Sequence, residues 1–194
     1  MNNYAFIDNE NVNISVQKQG WKIDRGKLIA WLREEHGVTK VYMFMGYLKT
    51  YEPMYAFFRQ LGYELIFKPV TVRGGTTKGN IDAELVLQSM IDLPNYDQAI
   101  LLTGDGDFVC LVRYLYEQKK LGALIVPNQR RYAGALNEAA KEKLFSLSPC
   151  KKKLAYRPPG KVKSETTIWI SSADSSAATG QSGGVTDASD AFYM

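Results

Sequence analysis

The chain has 194 residues, 45% of them hydrophobic, which supports one ordinary domain with a true core and little beyond it. Its formal net charge of +4, from 24 basic and 20 acidic residues, permits a polyanionic partner but excludes a histone-like basic protein. Two cysteines, Cys110 and Cys150, exclude a disulfide scaffold. The first ten residues lack a basic-then-apolar leader, and no apolar run approaches the ~20 residues of a membrane span, so the expected location is the cytoplasm, with no membrane partner.

In chain order, Tyr4–Asp8 reads as a short apolar strand ending in an acid. The polar run Asn9–Asn11 follows as a loop, in which Asn9 or Asn11 can bond its own backbone. Arg25–His36 carries apolar residues at helical spacing, with Asp24 as N-cap and Gly37 as stop. Val38–Met45 is a strand, Tyr51–Leu61 a helix stopped by Gly62, and Tyr63–Phe67 a strand ended by Pro69. Arg73–Lys78 reads as a flexible loop with two cations. Ile81–Leu93 is a helix, Ala99–Leu102 a strand, Phe108–Lys120 a helix closed by Gly122, Ala123–Val126 a strand, and Tyr132–Leu147 a last helix. His36 is expected as a charge partner at its helix end and Cys110 as a core residue.

Composition changes near residue 150. Six basic residues between Lys151 and Lys163 precede the first acid, Glu165, and from Ser171 the chain is mostly Ser, Ala, Gly, Thr and Asp. Such a segment has too little apolar surface to offset its ordering entropy. The expected organisation is therefore a domain over 1–150 and a disordered tail over 151–194, with a strand-like run at Thr166–Ile170. Strands separated by 10–15-residue helices imply parallel βαβ units, about five parallel strands in a three-layer α/β/α fold. In such sheets the active site lies outside the carboxyl ends of the strands, at the topological switch point. Asp8 ends the first strand; Asp105 and Asp107 follow the fourth.

Three motifs converge on that rim. In Thr103-Gly-Asp-Gly-Asp-Phe108 the glycines supply a turn, and one acid would suffice as a helix cap. Two carboxylates two residues apart repel unless a divalent cation offsets them. Phe6-Ile-Asp-Asn-Glu-Asn-Val12 delivers Asp8 at a strand end. Lys78-Gly-Asn-Ile-Asp82 places Asp82 in the first turn of a helix, where the macrodipole favours an acid in any case. Arg73 and Lys78 lie nearby as phosphate-contact candidates. Arg130 and Arg131 open the last helix, where cations oppose the dipole; this misfit makes them candidates for phosphate contact, with plain solvated charge as the alternative. Tyr47, Lys49 and Tyr51 are candidates for base stacking and backbone contact on the same rim.

These motifs, in this order over roughly residues 3–147, resemble the NYN domain family (the LabA-like group) within the PIN-like nuclease superfamily. The resemblance implies a five-stranded Rossmann-like sheet of order 3-2-1-4-5 and a Mg²⁺- or Mn²⁺-dependent ribonuclease acting on single-stranded or structured RNA. By position, Asp8, Asp82, Asp105 and Asp107 match the family's acidic catalytic and metal-site residues. Asn11 matches its asparagine beside the site, and Thr103 its Ser/Thr before Gly-Asp. Where members often carry a second acid two turns along the third helix, this chain has Gln88, an uncharged candidate for contacting water or substrate; this departure implies a lighter, single-metal site. Gln88 also keeps open a non-catalytic RNA-binding or regulatory module, and homodimerisation is left open. A haloacid-dehalogenase-like phosphatase would need an aspartate two residues past Asp8, where Glu10 stands.

Overall fold

The computed structural model describes residues 1–69, 71–73, 76–78 and 81–158, with residues 69, 71–73 and 76–78 described by their backbone alone. The strands are β1 (Asn3–Asp8), β2 (Val38–Tyr47), β3 (Tyr63–Pro69), β4 (Thr71–Arg73), β5 (Thr76–Lys78), β6 (Ala99–Leu102), β7 (Leu121–Val126) and β8 (Leu144–Ser146). The α-helices are α1 (Asn9–Gln17), α2 (Arg25–His36), α3 (Glu52–Leu61), α4 (Asp82–Ile91), α5 (Val109–Glu117), α6 (Ala135–Ala140) and α7 (Lys151–Leu154).

Six strands form one sheet in the order β3-β2-β1-β6-β7-β8, and every pairing in it is parallel. Alternation along the strands builds the three layers. Ala5, Ile7, Val41, Met43, Ile100 and Leu102 pack with Val12, Leu28, Leu32 and Tyr55, from α1, α2 and α3. Tyr4, Phe6, Tyr42, Phe44, Ala99 and Leu101 face Leu85, Leu111, Leu115 and Leu136, from α4, α5 and α6. Because both faces are covered, β1 and β6 are buried at every residue and read in sequence as continuous apolar runs.

The helix signals at α2 act as expected. The Asp24 carboxylate accepts from the Lys27 amide (3.0 Å), and Gly37 closes the helix at φ 60°. Gly62 likewise closes α3 at φ 97°.

Several expectations give way. The run after Asp8 is a helix, not a loop, because Asp8 itself is its N-cap. The loop expected over Arg73–Lys78 is the antiparallel pair β4–β5, with β-branched residues on both sides of a Gly-Gly pair. α5 ends at Glu117, and Gly122 lies inside β7; a Cβ there would meet Ile100 Cδ1 at 2.8 Å. The helix expected over Tyr132–Leu147 spans only Ala135–Ala140. Lys141 turns the chain at φ 50°, and Leu144–Ser146 then pairs with Leu124–Val126, covering the outer edge of the second half of β7. The expected order of five parallel strands stands as β3-β2-β1-β6-β7, and β8 is added as a sixth beside it.

Cys110 is exposed, not core. His36 stands edge-on to Trp31 (5.0 Å) in the last turn of α2, and burial holds its pKa below the usual histidine value, with the Glu35 charge opposing.

The compact unit also runs past residue 150, to Tyr156. Leu154 is fully buried, the Tyr156 amide donates to the Lys22 carbonyl, and Lys153 pairs with Glu34 and Glu35. Lys151–Lys153 therefore belong to α7, not to a linker. The strand-like run Thr166–Ile170 and the remaining tail lie outside the described residues.

Candidate active site

The chain passes from β1 outward to β3 and returns to β6 on the other side of β1, so the switch point lies between β1 and β6. A cleft of about 320 Å³ opens there, lined by Asp8, Glu10, Asp82, Asp105 and Asp107 with Asn11 and Ile14. Each acid arrives for a topological reason. Asp8 ends β1; Asp105 and Asp107 follow the end of β6. α4 carries the chain back from the carboxyl edge toward the start of β6, so its first residue, Asp82, starts at that same edge.

Hydrogen bonds knit the two strand ends together. Asp8 is 4% exposed. One of its carboxylate oxygens accepts from the Asn11 amide (3.1 Å), the other from the Thr103 hydroxyl (3.1 Å). Thr103 Oγ1 in turn accepts from the Asp105 amide (3.1 Å). Asn11 Oδ1 accepts from the Gly104 amide (2.9 Å), so the asparagine clamps the neighbouring strand end and not its own backbone. Asp105 Oδ1 accepts from the Asp107 amide (3.0 Å), which makes Asp105, not Asp107, the cap of the following turn.

The glycines of this loop are needed for space. Neither Gly104 nor Gly106 adopts a positive φ. A Cβ on Gly106 would meet Ala133 Cβ at 2.9 Å, and one on Gly104 would meet Tyr132 Cβ at 3.3 Å.

Burial pushes the Asp8 carboxyl up to about 6 from an ordinary 3.8. The bonds from Asn11 and Thr103 oppose the rise, while the charges of Asp82 and Asp105 add to it. A buried carboxylate facing two others carries an electrostatic cost that a cation would remove. The cleft's charged donors are all carboxylates, with no imidazole or thiolate, which suits a hard divalent ion. Among the described residues no three acidic, histidine or cysteine side chains already close around one point. The donor set fits an ion that keeps several of its waters, as Mg²⁺ does.

Asp8, Asn11, Asp82, Asp105 and Asp107 are thus brought together, with Thr103 bonded beneath them. Gln88 is not with them: its amide donates to Asp92 (2.7 Å), and it does not line the cleft. Glu84 turns away as well, to pair with Lys68 (3.4 Å). Arg73 and Lys78 lie on the two hairpin strands, and their side chains fall outside the described part of the structure. Arg130 and Arg131 do not open a helix. They sit in the loop between β7 and α6, in a second pocket. Glu10 and Ile14 were missed as cleft residues; once α1 is known to be helical, the spacing 10, 11, 14 shows that they share a face. Among the described residues, no helix is long and apolar enough to cross a membrane.

A family model for the NYN domain matches residues 4–147. The low amplitude and bright protein LabA of Synechococcus elongatus is 29% identical over 115 residues, which cover 53% of this chain and 61% of that protein. The chain therefore spans less than two thirds of the relative's length. The crystal structure of a protein of unknown function from Vibrio parahaemolyticus matches 80% of this chain and 96% of its own, with a TM-score of 0.63 at 20% identity, which supports the fold alone.

Proposed function

The chain belongs to the NYN domain family, whose members are in general PIN-like nucleases, and on that premise we propose that it is a metal-dependent ribonuclease cutting RNA phosphodiester bonds. The observation that carries this reading is the convergence of Asp8, Asp82, Asp105 and Asp107 on one cleft at the switch point of the sheet. These four would hold Mg²⁺ or Mn²⁺, with Glu10 at the same opening. When bound, such an ion supplies charge neutralisation at the scissile phosphate and a lowered pKa for an attacking water.

The protein's own part is positioning. Thr103 joins the Asp8 carboxylate to the Asp105 backbone, and Asn11 ties α1 to Gly104, so the β1 and β6 carboxylates keep a fixed separation. Asp82 stands in the first turn of α4, where backbone amides favour an anion. Asp107 stands exposed at the mouth, within reach of a substrate entering from solvent. Ionised Asp8 is the form that receives a cation, and protonation below about pH 6 opposes it.

The test is cleavage of a labelled single-stranded RNA with Mg²⁺ or Mn²⁺, by the native chain and by Asp105→Asn. Cleavage that stops with chelator and with the substitution supports the reading. RNA bound but uncut at every metal concentration overturns it. One observation favours a second reading, a non-catalytic RNA-binding or regulatory module: the family's second acid on this helix is replaced by Gln88, whose amide is committed to Asp92.

A further inference from the structure

We propose that Lys18, Arg130 and Arg131 form a phosphate-binding pocket that grips a backbone phosphate of the bound RNA away from the scissile bond. The inference rests on the ribonuclease reading for the identity of its polyanion. The pocket lies beside the acidic cleft on the same edge of the sheet. β7 pairs directly with β6, Leu102 opposite Ile125, and the pocket's loop leaves the end of β7 as Asp105 leaves the end of β6. α1 joins the two: Asn11 and Ile14 line the cleft, Lys18 the pocket. Seven residues of helix separate Asn11 from Lys18, a rise of roughly 10 Å at 1.5 Å per residue. A strand whose scissile phosphate lies in the cleft can therefore lay a later phosphate over the pocket.

The pocket is built by neutral groups. Gln19 Nε2 donates to the Ser15 and Pro127 carbonyls (both 2.9 Å), joining the end of α1 to the loop after β7. Gln19 Oε1 accepts from the Ser148 hydroxyl (2.9 Å), and that hydroxyl accepts from the Gln129 amide (3.2 Å). Buried Asn128 shapes the turn: its side-chain oxygen accepts from the Arg130 amide (2.9 Å) and its carbonyl from the Arg131 amide (3.2 Å). Both arginines are thereby projected outward from a bonded turn. No carboxylate lines the pocket, and among the described residues none of the three cations forms an ion pair. Lys18 alone would be explained by its place at the end of α1, where a cation suits the dipole. That explanation does not reach Arg130 and Arg131, which lie on no helix. Three unpaired cations around a neutral floor suit phosphate, and two guanidiniums can each offer it paired N–H donors.

The test is fluorescence anisotropy with a labelled oligouridylate of about twelve nucleotides, long enough to cover both pockets. It is run in chelator, for the native chain, Asp105→Asn, and a triple variant Lys18→Ser, Arg130→Ser, Arg131→Ser whose thermal midpoint is checked against the native chain. The triple variant is expected to bind about tenfold or more weakly at low salt, with a log–log salt slope shallower by about 0.7, the share of one neutralised phosphate on a single strand. Asp105→Asn is expected to bind at least as well as the native chain. Unchanged affinity and slope in the triple variant, or no oligonucleotide binding by the native chain, overturns the pocket. Weakened binding in the triple variant beside a native chain that never cleaves leaves the pocket standing and removes the ribonuclease reading. Cleavage by the native chain beside a fully binding triple variant removes the pocket alone.

Discussion

Two pockets share the carboxyl edge of this sheet, and they hold their charges in opposite ways. In the acidic cleft the key charge is buried: Asp8 is bonded on both oxygens and pushed up to about 6. In the basic pocket the bonded groups are neutral (half-buried Gln19, buried Asn128) and the charges are exposed. The difference suits two tasks. A group that must be electrostatically strained before its partner arrives has to be desolvated and fixed. A group that only attracts a polyanion works from solvent and needs a defined origin, not a defined tip.

The sharpest way to break the comparison is to remove charge from the cleft. Asp105→Asn should lower RNA cleavage by on the order of 10²–10³-fold, the usual scale for losing one group that stabilises developing charge, while anisotropy shows RNA binding kept. Retained cleavage would mean that the cleft is not the reacting centre.

The next largest effect is on stability. Asp8 has its pKa raised in the folded state to about 6 from 3.8, so between those values the folded chain holds a proton that the unfolded chain lacks. Stability should therefore fall as pH rises through that window and stay lower above it. Asp8→Asn should abolish this slope and stabilise the metal-free protein at pH 8 by up to about 3 kcal/mol, at 1.36 kcal/mol per unit, measured by urea unfolding across pH. A substitution that destabilises at pH 8 would show that the Asp8 bonds outweigh its burial.

Gly106→Ala probes the loop that carries Asp105. Its Cβ would stand 2.9 Å from Ala133 Cβ, so a loss of about 1–3 kcal/mol from overpacking is expected in thermal unfolding. A neutral result would mean that the 132–133 segment yields freely.

The smallest effect is expected at Gln88. Its amide serves Asp92, so Gln88→Ala should leave cleavage within about twofold and cost about 1 kcal/mol of stability, the worth of one hydrogen bond. A large loss of cleavage would place Gln88 in the site after all.

Much of the fold was legible because its signals are local. Asp24, Gly37 and Gly62 punctuate helices by their own chemistry, and the buried runs of β1 and β6 advertise a covered parallel sheet. What was misread depended on partners far away in the chain. Leu144–Ser146 reads as the end of a helix until β7 offers it an edge. Gly104 and Gly106 read as turn formers until residues 132 and 133 press on them. Arg130 and Arg131 read as a helix start until Asn128 folds its turn beneath them.

The sequence by itself determined which acids stand at strand ends and helix starts, since apolar runs, caps and the rule of carboxyl-end sites need no distant contact. Tertiary structure alone decided which of them share a cleft, that Gln88 leaves it, and that the arginines gather in a separate pocket beside it. Hydrogen bonds such as Thr103 to Asp8 join residues 95 positions apart, and no local preference specifies a contact that only the closed sheet brings into range.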